Sequence, residues 1–472
     1  MPLVKHINPY IFRGYDLRGE VDQDLNDDVM YTLGRAYATF LWERRISEAA
    51  VGRDNRLTSE NYSRAFIRGL NEGGINTHDI GLSLSQIVYY STYYFRTKGS
   101  VMVTASHNPK NYNGLKLGTG YSETMVSEDI QYFHQLVTKG HFSEGSGTND
   151  SIDIFPDYLK HLLKHIHLKR SWKIVVDTGN TTSGLFYPTI FREAGCQVVE
   201  QYTNLDGNFP LGAPDPTKES VLKRVSKGVK QAQAEIGFAF DADGDRMAVV
   251  DENGSVLWMD TIVALLAKDV LDFLPGSPIV YNTLCSRQVT EAIEKAGGKP
   301  VMWLTGHSFI KAKVRLENAP FGGELSGHIY ITDNFYGHDD GAYACLRLIS
   351  YLERTHQTLS QAAAKLSQYQ SSPEIKFGLA DDLKFKFIKN TITPEFKQTW
   401  PKAKFIDIDG IRFDLSNQMA ILRASQNGPY ITLKFEHKTK DGYEILKRQL
   451  KTIMSKHSEI NWSEGVNTHA LD

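Results

Sequence analysis

The sequence predicts an α/β protein: three related α/β domains with mixed sheets plus a smaller α+β C-terminal domain, arranged around a central cleft. Three observations predict it. The chain has 472 residues, more than one hydrophobic core organises, which implies two to four domains. Three segments repeat one pattern: EAAVGRDNRLTSENYSRAFIRGLNEGGINTHDIG, WKIVVDTGNTTSGLFYPTIFREAGCQVVEQY and SPIVYNTLCSRQVTEAIEKAGGKPVMWLTG, starting near residues 49, 172 and 277. Each repeat is then followed by a further apolar strand that ends in a chemically unusual loop.

Within each repeat a short apolar strand leads through a polar loop into a helix-period stretch. The stretch ends at Glu-Gly-Gly, Glu-Ala-Gly or Lys-Ala-Gly-Gly, and another strand follows. Glycine just past the last helical turn is the expected left-handed cap. Strand, helix, strand at this spacing is a βαβ unit, whose parallel strands must be covered on both faces. From about residue 371 the pattern changes. PEIKFGLADD, a helix near LKFKFIKNTI, the alternating strands IDGIRFDL and ITLKFEH, and an amphipathic helix around YEILKRQLKTIM predict a half-exposed sheet with helices. The expected domains are residues 1–154, 155–255, 256–370 and 371–472.

Hydrophobic residues make up 41% and charged residues 23%, with a formal net charge of −2. That balance argues against a nucleic-acid or anionic-membrane surface as the main partner, and any basic patch must be local. The three cysteines, Cys196, Cys285 and Cys345, are odd in number and far apart, which suits a reducing compartment without a disulfide framework. The opening MPLVKHINPYIFRGYDLRGE has no apolar core of signal-peptide length, and the apolar stretch TIVALLAKDVLDFL carries charges and is too short to span a bilayer. A cytoplasmic protein is expected.

The loops carry the chemistry. SVMV runs into TASHNP, so Ser106 stands at a strand's end with His107 beside it. A lone loop serine is ordinarily a turn former or a helix cap, and only its context raises it above that. The equivalent loop of the second repeat is DADGDR, with Asp241, Asp243 and Asp245 at alternate positions. Three carboxylates this close repel one another, and a buried set needs a cation; oxygen-only ligation suits Mg²⁺ or a similar hard ion. A calcium loop of the EF-hand type fails, because Arg246 stands where that loop requires glycine and strands flank the segment. Serine and metal together point to phosphoryl transfer, with the serine oxygen carrying the group. Serine–histidine hydrolysis is disfavoured: no G-x-S-x-G elbow surrounds Ser106, and adjacent side chains in an extended stretch point apart. In the third repeat GGELSGH puts Glu324 and Ser326 two apart, on one side of an extended segment, where they can take neighbouring hydroxyls of a sugar. In the tail RASQNGP offers a guanidinium, a hydroxyl, amides and backbone N–H groups, an inventory that suits a phosphate dianion.

In this order the loops resemble those of the α-D-phosphohexomutase superfamily, and most closely its bacterial phosphomannomutase/phosphoglucomutase branch. FRGYDLRG, TASHNP, DGNFP, DADGDR, TGHSFIK, GGELSGH, GHDDGAY, DGIRFD and RAS…P spread the resemblance over nearly the whole chain. It implies that Ser106 is phosphorylated in the resting enzyme and completes the shell of one Mg²⁺ held by Asp241, Asp243 and Asp245. The phosphoryl group would pass to a bound hexose 1-phosphate, making a 1,6-bisphosphate that turns over and returns its other phosphate; hexose 1,6-bisphosphate would act as activator. Glu324 and Ser326 would hold the sugar 3- and 4-hydroxyls. Arg423, Ser425, Gln426 and Asn427 would bind the non-reacting phosphate, with the fourth domain closing as a lid. Tyr15, Arg18, His107, Lys116, Arg246, His307 and His328 match further active-site positions, with Lys116 and His328 candidates for proton transfer. The resemblance implies small sugar phosphates as partners of a monomer.

The chain departs from the family pattern at three places. Leu284 stands where a lysine is usual, Gln426-Asn427-Gly428 alters the phosphate loop, and Lys434 replaces a frequent arginine. Loss of a cation beside a phosphoryl group costs on the order of 1–3 kcal/mol of transition-state stabilisation. Three alternatives follow: a phosphoglucosamine mutase, against which Leu325 argues; a non-catalytic sugar-phosphate sensor; and a phosphatase.

Overall fold

The computed structural model describes residues 1–426 and 428–472, and its strands form four sheets. In the first sheet Glu48–Arg53 lies between parallel partners Asn76–Leu82 and Gly99–Val103, and Tyr112–Gly120 runs antiparallel beyond Gly99–Val103. In the second, Lys173–Asp177 lies between parallel Gln197–Gln201 and Ile236–Phe240, with Met247–Asp251 antiparallel beyond. In the third, Pro278–Asn282 lies between parallel Lys299–Trp303 and Phe321–Gly323, with Ile329–Ile331 antiparallel beyond. The three sheets follow one plan. Loops 104–111, 241–246 and 324–328 are therefore the same connection in each, from the outer parallel strand to its antiparallel neighbour.

Local sequence accounts for the plan. The strands that feed these loops (GSVMV, IGFAF and FGG) are buried along their whole length. Continuous burial is what a parallel strand covered on both faces requires. The repeat helices end where glycine adopts positive φ, at Gly74 (91°), Gly195 (94°) and Gly297 (77°).

The fourth sheet is antiparallel, ordered Lys404–Ile406, Ile411–Leu415, Gln418–Ala424, Tyr430–His437, Ile375–Gly378, Asn461–Val466. Its apolar face, with Phe377, Phe413, Leu422, Leu433 and Phe435, packs on Leu446, Leu450 and Ile453 of helix Lys440–Met454. Its other face carries Arg412, Arg423, Thr432 and Lys434, and it bonds to the third domain. Arg412 donates to the Thr283 and Cys285 carbonyls (both 2.6 Å), and Lys434 pairs with Asp260 at 2.9 Å.

The first and fourth units each have a core of their own, and the second and third share a further one, which Leu84, Ile87, Val88 and Met102 of the first and Met419 and Ile421 of the fourth also enter. Tyr187, Phe191 and Phe240 of the second are continuous with Leu265, Ile279, Phe321 and Leu346 of the third. No described helix is long and apolar enough to cross a membrane.

The loop that bears Ser106 is clamped from below by Arg56. Its guanidinium is buried and donates to the carbonyls of Ser106 (2.6 Å), Asn108 (2.8 Å), Pro109 (2.7 Å) and Tyr112 (3.0 Å), while Nε bonds Asp54 Oδ2 at 3.0 Å. Asp54 also accepts from Thr104 Oγ1 (2.7 Å), whose oxygen receives the Ser106 N–H (2.8 Å). Arg18 braces the other side, donating to Asn108 Oδ1 at 2.9 Å and to Asp16. Replacing Arg56 by Met leaves Asp54 as an uncompensated buried charge and strips several carbonyls of donors. Arg56→Met should lose about 3–5 kcal/mol of unfolding free energy. Urea unfolding measures it, and a loss under about 1 kcal/mol would show that the clamp is dispensable.

Candidate active site

Ser106 is buried and sits in the left-handed region at φ 50°, a conformation held by the clamp around it. Its Oγ donates to Asp241 Oδ2 at 2.8 Å, across from the first domain to the second. Asp241, Asp243 and Asp245 are fully buried, and each offers an oxygen within 4.8 Å of the others. Among the described residues Asp243 Oδ1 and Asp245 Oδ1 have no hydrogen-bond donor. An oxygen-only donor set with buried, unpartnered carboxylate oxygens fits a hard divalent ion, and these three aspartates can hold one. Burial, with Asp243 and Asp245 beside it, pushes the Asp241 carboxyl well above its ordinary range. Asp243 goes the other way: burial opposes its charge, but Lys116 holds it below the usual carboxylate range.

Lys116 comes from the first domain. Its Nζ lies 2.6 Å from Asp243 Oδ2, also bonds Asp245 Oδ2, and reaches Ser85 Oγ at 3.0 Å. Burial works against this ammonium, yet Asp243 and Asp245 outweigh it and keep it protonated. Arg246 Nε donates to His328 Nε2 at 2.9 Å. That nitrogen must be the unprotonated one, so the His328 ring proton sits on Nδ1, which faces Asp339 Oδ2 at 2.9 Å. His307 lies 5.5 Å away, ring centre to ring centre, and Tyr15 meets it edge-on at 4.6 Å. Burial and the surrounding cations push His307 and His107 well below the ordinary histidine value.

Glu324 is buried and accepts from the Gly306 N–H (2.9 Å) and the Tyr330 hydroxyl (3.0 Å); burial raises its carboxyl. Ser326 is half-buried. The segment between them is not extended: Gly327 N–H closes a turn on the Glu324 carbonyl at 3.1 Å, with Gly327 at φ 100°. The two side chains therefore do not line one side of a strand, because the tight return to Ile329–Ile331 requires the turn. A second expectation also fails. Ser106 Oγ and His107 Nδ1 lie 3.1 Å apart, since the left-handed backbone at Ser106 brings together side chains that an extended stretch would part. In the fourth domain Arg423 Nε bonds Asp409 Oδ2 at 2.8 Å, Ser425 is buried, and Gln426 packs against Gly14 of the first domain. Asn427 lies outside the described residues.

Several residues with evident work at this site carried no assignment in the sequence. Arg56 and Asp54 were hidden in GRDNR, a loop that reads as an ordinary strand exit. Asp339 stood in GHDDGAY without a role. It is buried between His328 and Lys311, whose Nζ lies 3.7 Å away and is pushed down to about 8 by burial. Asp409 stood in DGIRFD. Its Oδ2 receives Arg423 Nε, Thr283 Oγ1 (3.0 Å) and the Thr305 N–H (3.0 Å), latching the fourth domain to the third.

The chain matches three consecutive family models: phosphoglucomutase/phosphomannomutase alpha/beta/alpha domain I over residues 9–143, domain II over 156–254 and domain III over 258–369. It is 35% identical over 449 residues to a phosphomannomutase/phosphoglucomutase of Pseudomonas aeruginosa, covering 94% of this chain and 96% of that one. It is 33% identical over 456 residues to a phosphoglucomutase of Neisseria meningitidis, covering 96% and 98%. A crystal structure of a phosphoglucomutase/phosphomannomutase family protein from Burkholderia thailandensis superposes with a TM-score of 0.88 at 31% identity, over 96% of this chain and 98% of that one. With its repeated α/β plan, its fourth domain and these relatives, the chain belongs to the phosphoglucomutase/phosphomannomutase family, in the bacterial branch of the α-D-phosphohexomutases.

Proposed function

We propose that the protein is a phosphohexomutase, an isomerase that interconverts hexose 1-phosphate and hexose 6-phosphate of mannose, glucose or both. The observation that carries the reading is the buried Ser106 hydroxyl bonded to one of three clustered aspartates, in a chain of this family. Ser106, Asp241, Asp243 and Asp245 would hold one Mg²⁺ per chain, and that ion would supply positive charge against the phosphoryl oxygens. Ser106 carries the phosphoryl group. In transfer the Oγ–P bond breaks as a bond from phosphorus to a sugar hydroxyl oxygen forms. The sugar hydroxyl loses a proton and Ser106 regains one. His107, neutral and 3.1 Å from Oγ, is the nearest imidazole for that exchange, and Lys116, a buried ammonium, acts as a fixed charge and acid rather than a base. Arg246 and His328 face the same pocket and steady the moving group.

The remaining assignments belong to the same reading. Tyr15, Arg18, His307, Glu324 and Ser326 contact the sugar, and Arg423, Ser425, Gln426 and Asn427 receive the far phosphate, with hexose 1,6-bisphosphate as activator. The four domains divide at 154/155, 255/256 and 370/371. The protein is read as a monomer acting on small sugar phosphates. The three buried, unbridged cysteines support a cytoplasmic setting.

A coupled assay with glucose 1-phosphate and mannose 1-phosphate, Mg²⁺ and a trace of hexose 1,6-bisphosphate tests the reading. Turnover should stop with EDTA, return with Mg²⁺ and fall about 10³-fold or more in Ser106→Ala. Absence of turnover on both sugars by well-folded protein would overturn it, and steady release of inorganic phosphate would mark a phosphatase instead. The Asp409 latch gives a separate expectation. Asp409→Ala frees Arg423 and loosens the fourth domain, so KM for the hexose phosphate should rise about tenfold with a smaller change in kcat. Steady-state kinetics measure it, and an unchanged KM would remove Asp409 from substrate binding.

A further inference from the structure

Strand Ile375–Gly378 alternates cleanly. Ile375 and Phe377 enter the fourth domain's core, so Lys376 projects from the opposite, polar face. The register on that face is specific: Lys376 pairs with Thr432, and Thr432 pairs on its other side with Arg423. Arg423, Thr432 and Lys376 form one cross-strand row. With adjacent strands about 4.8 Å apart, the row holds two cations with backbones roughly 10 Å apart on the same side of the sheet.

The Lys376 ammonium lies 5.1 Å from the centre of the Tyr430 ring, and Tyr430 in turn is coupled to Ser425 and Arg423. Lys376 is half-buried, yet among the described residues its side chain makes no ion pair and no hydrogen bond. Tyr430, Glu374 and Asp215 favour its ammonium against burial and the Arg246 guanidinium, and Lys376 itself bears on His107 beside Ser106. Its field therefore reaches the reacting serine on one side and the phosphate loop on the other. The surroundings keep the ammonium charged without neutralising it in an ion pair, so with Arg423 in the same row it presents positive charge that a dianion brought between them can take.

We propose that Lys376 is a phosphate-binding residue of the site, pairing its ammonium with the phosphate of the sugar phosphate or bisphosphate that Arg423 and Ser425 also receive, and so setting affinity for the charged substrate. Tyr430, packed beside the ammonium, limits where Lys376 can point. The inference rests on the mutase reading and goes beyond it by adding a cation that none of the loop motifs contains. It also offers a source of positive charge in a chain that has Leu284 at a position where a lysine is usual.

Calorimetric titration of the full chain with glucose 1-phosphate, inorganic phosphate and uncharged glucose tests it. Lys376→Gln should raise Kd for glucose 1-phosphate and for phosphate about tenfold or more, leave the response to glucose and the thermal midpoint unchanged, and raise KM more than it lowers kcat. Lys376→Arg should restore binding to within about threefold of the parent. Parent-like affinity in Lys376→Gln would overturn the inference and leave the mutase reading intact. Weakened binding that Arg does not rescue, accompanied by a fall in thermal midpoint, would overturn it in favour of a structural role. A parent protein that binds neither phosphate nor glucose 1-phosphate would overturn the mutase reading itself.

Discussion

The structure depends on a constraint of charge. Three aspartates cannot share a dry pocket unless positive charge is brought to them, because like carboxylates in a low dielectric repel strongly. The second domain supplies the aspartates but only part of their balance, through Arg246. Lys116 enters from the first domain, and Arg246 lies beside them bonded to His328 of the third. Ser106 itself reaches across to Asp241. The contact between the domains is thus dictated by the electrostatics of the pocket as much as by apolar packing, and the buried serine sits on that seam.

Rigidity is distributed unevenly around this seam. Below Ser106, Arg56 and Arg18 hold the loop through carbonyls and amides rather than through the serine side chain, leaving Oγ free to change partners. Above it, Met419 and Ile421 of the fourth domain enter the shared core, and polar contacts surround them: Arg412 to two carbonyls, Lys434 to Asp260, and Asp409 to Thr283 and Thr305. Contacts of this kind exchange readily for water, whereas buried apolar surface does not. A polar hinge face over a firmly clamped loop is the arrangement expected where one part must move while the other must not.

Much of this was legible in the sequence. Strand–helix–glycine periodicity is local physics, so the three repeats and the equivalence of their loops could be read directly, and so could the shift to alternating strands in the tail. The carboxylate cluster was legible because three aspartates at alternate positions between apolar strands are too repulsive to be buried without a cation. What escaped depends on geometry over long sequence distances. Arg56 lies about fifty residues from the loop it clamps, and only the pairing of Glu48–Arg53 with Gly99–Val103 brings them together. Two local readings failed for backbone reasons: a left-handed Ser106 and a turn at Gly327 each break the alternation that an extended segment would impose. Lys376 was invisible because a lysine in a half-exposed strand looks like any solvated residue until its cross-strand neighbours are known.

The continuous core of the second and third domains has a consequence for how such enzymes can be rebuilt. On the proposed mechanism, sugar choice resides in loops of the third domain and metal chemistry in the second, which invites exchange of the third domain alone between relatives. The partition runs through Tyr187, Phe240, Leu265 and Leu346, however, and a cut there would part side chains that are packed as one body. The heritable module is the pair. Recombination that respects the packing would trade metal loop and sugar loop together, and would match the first domain's Leu84, Ile87 and Val88 and the fourth domain's Met419 and Ile421 to the core they enter.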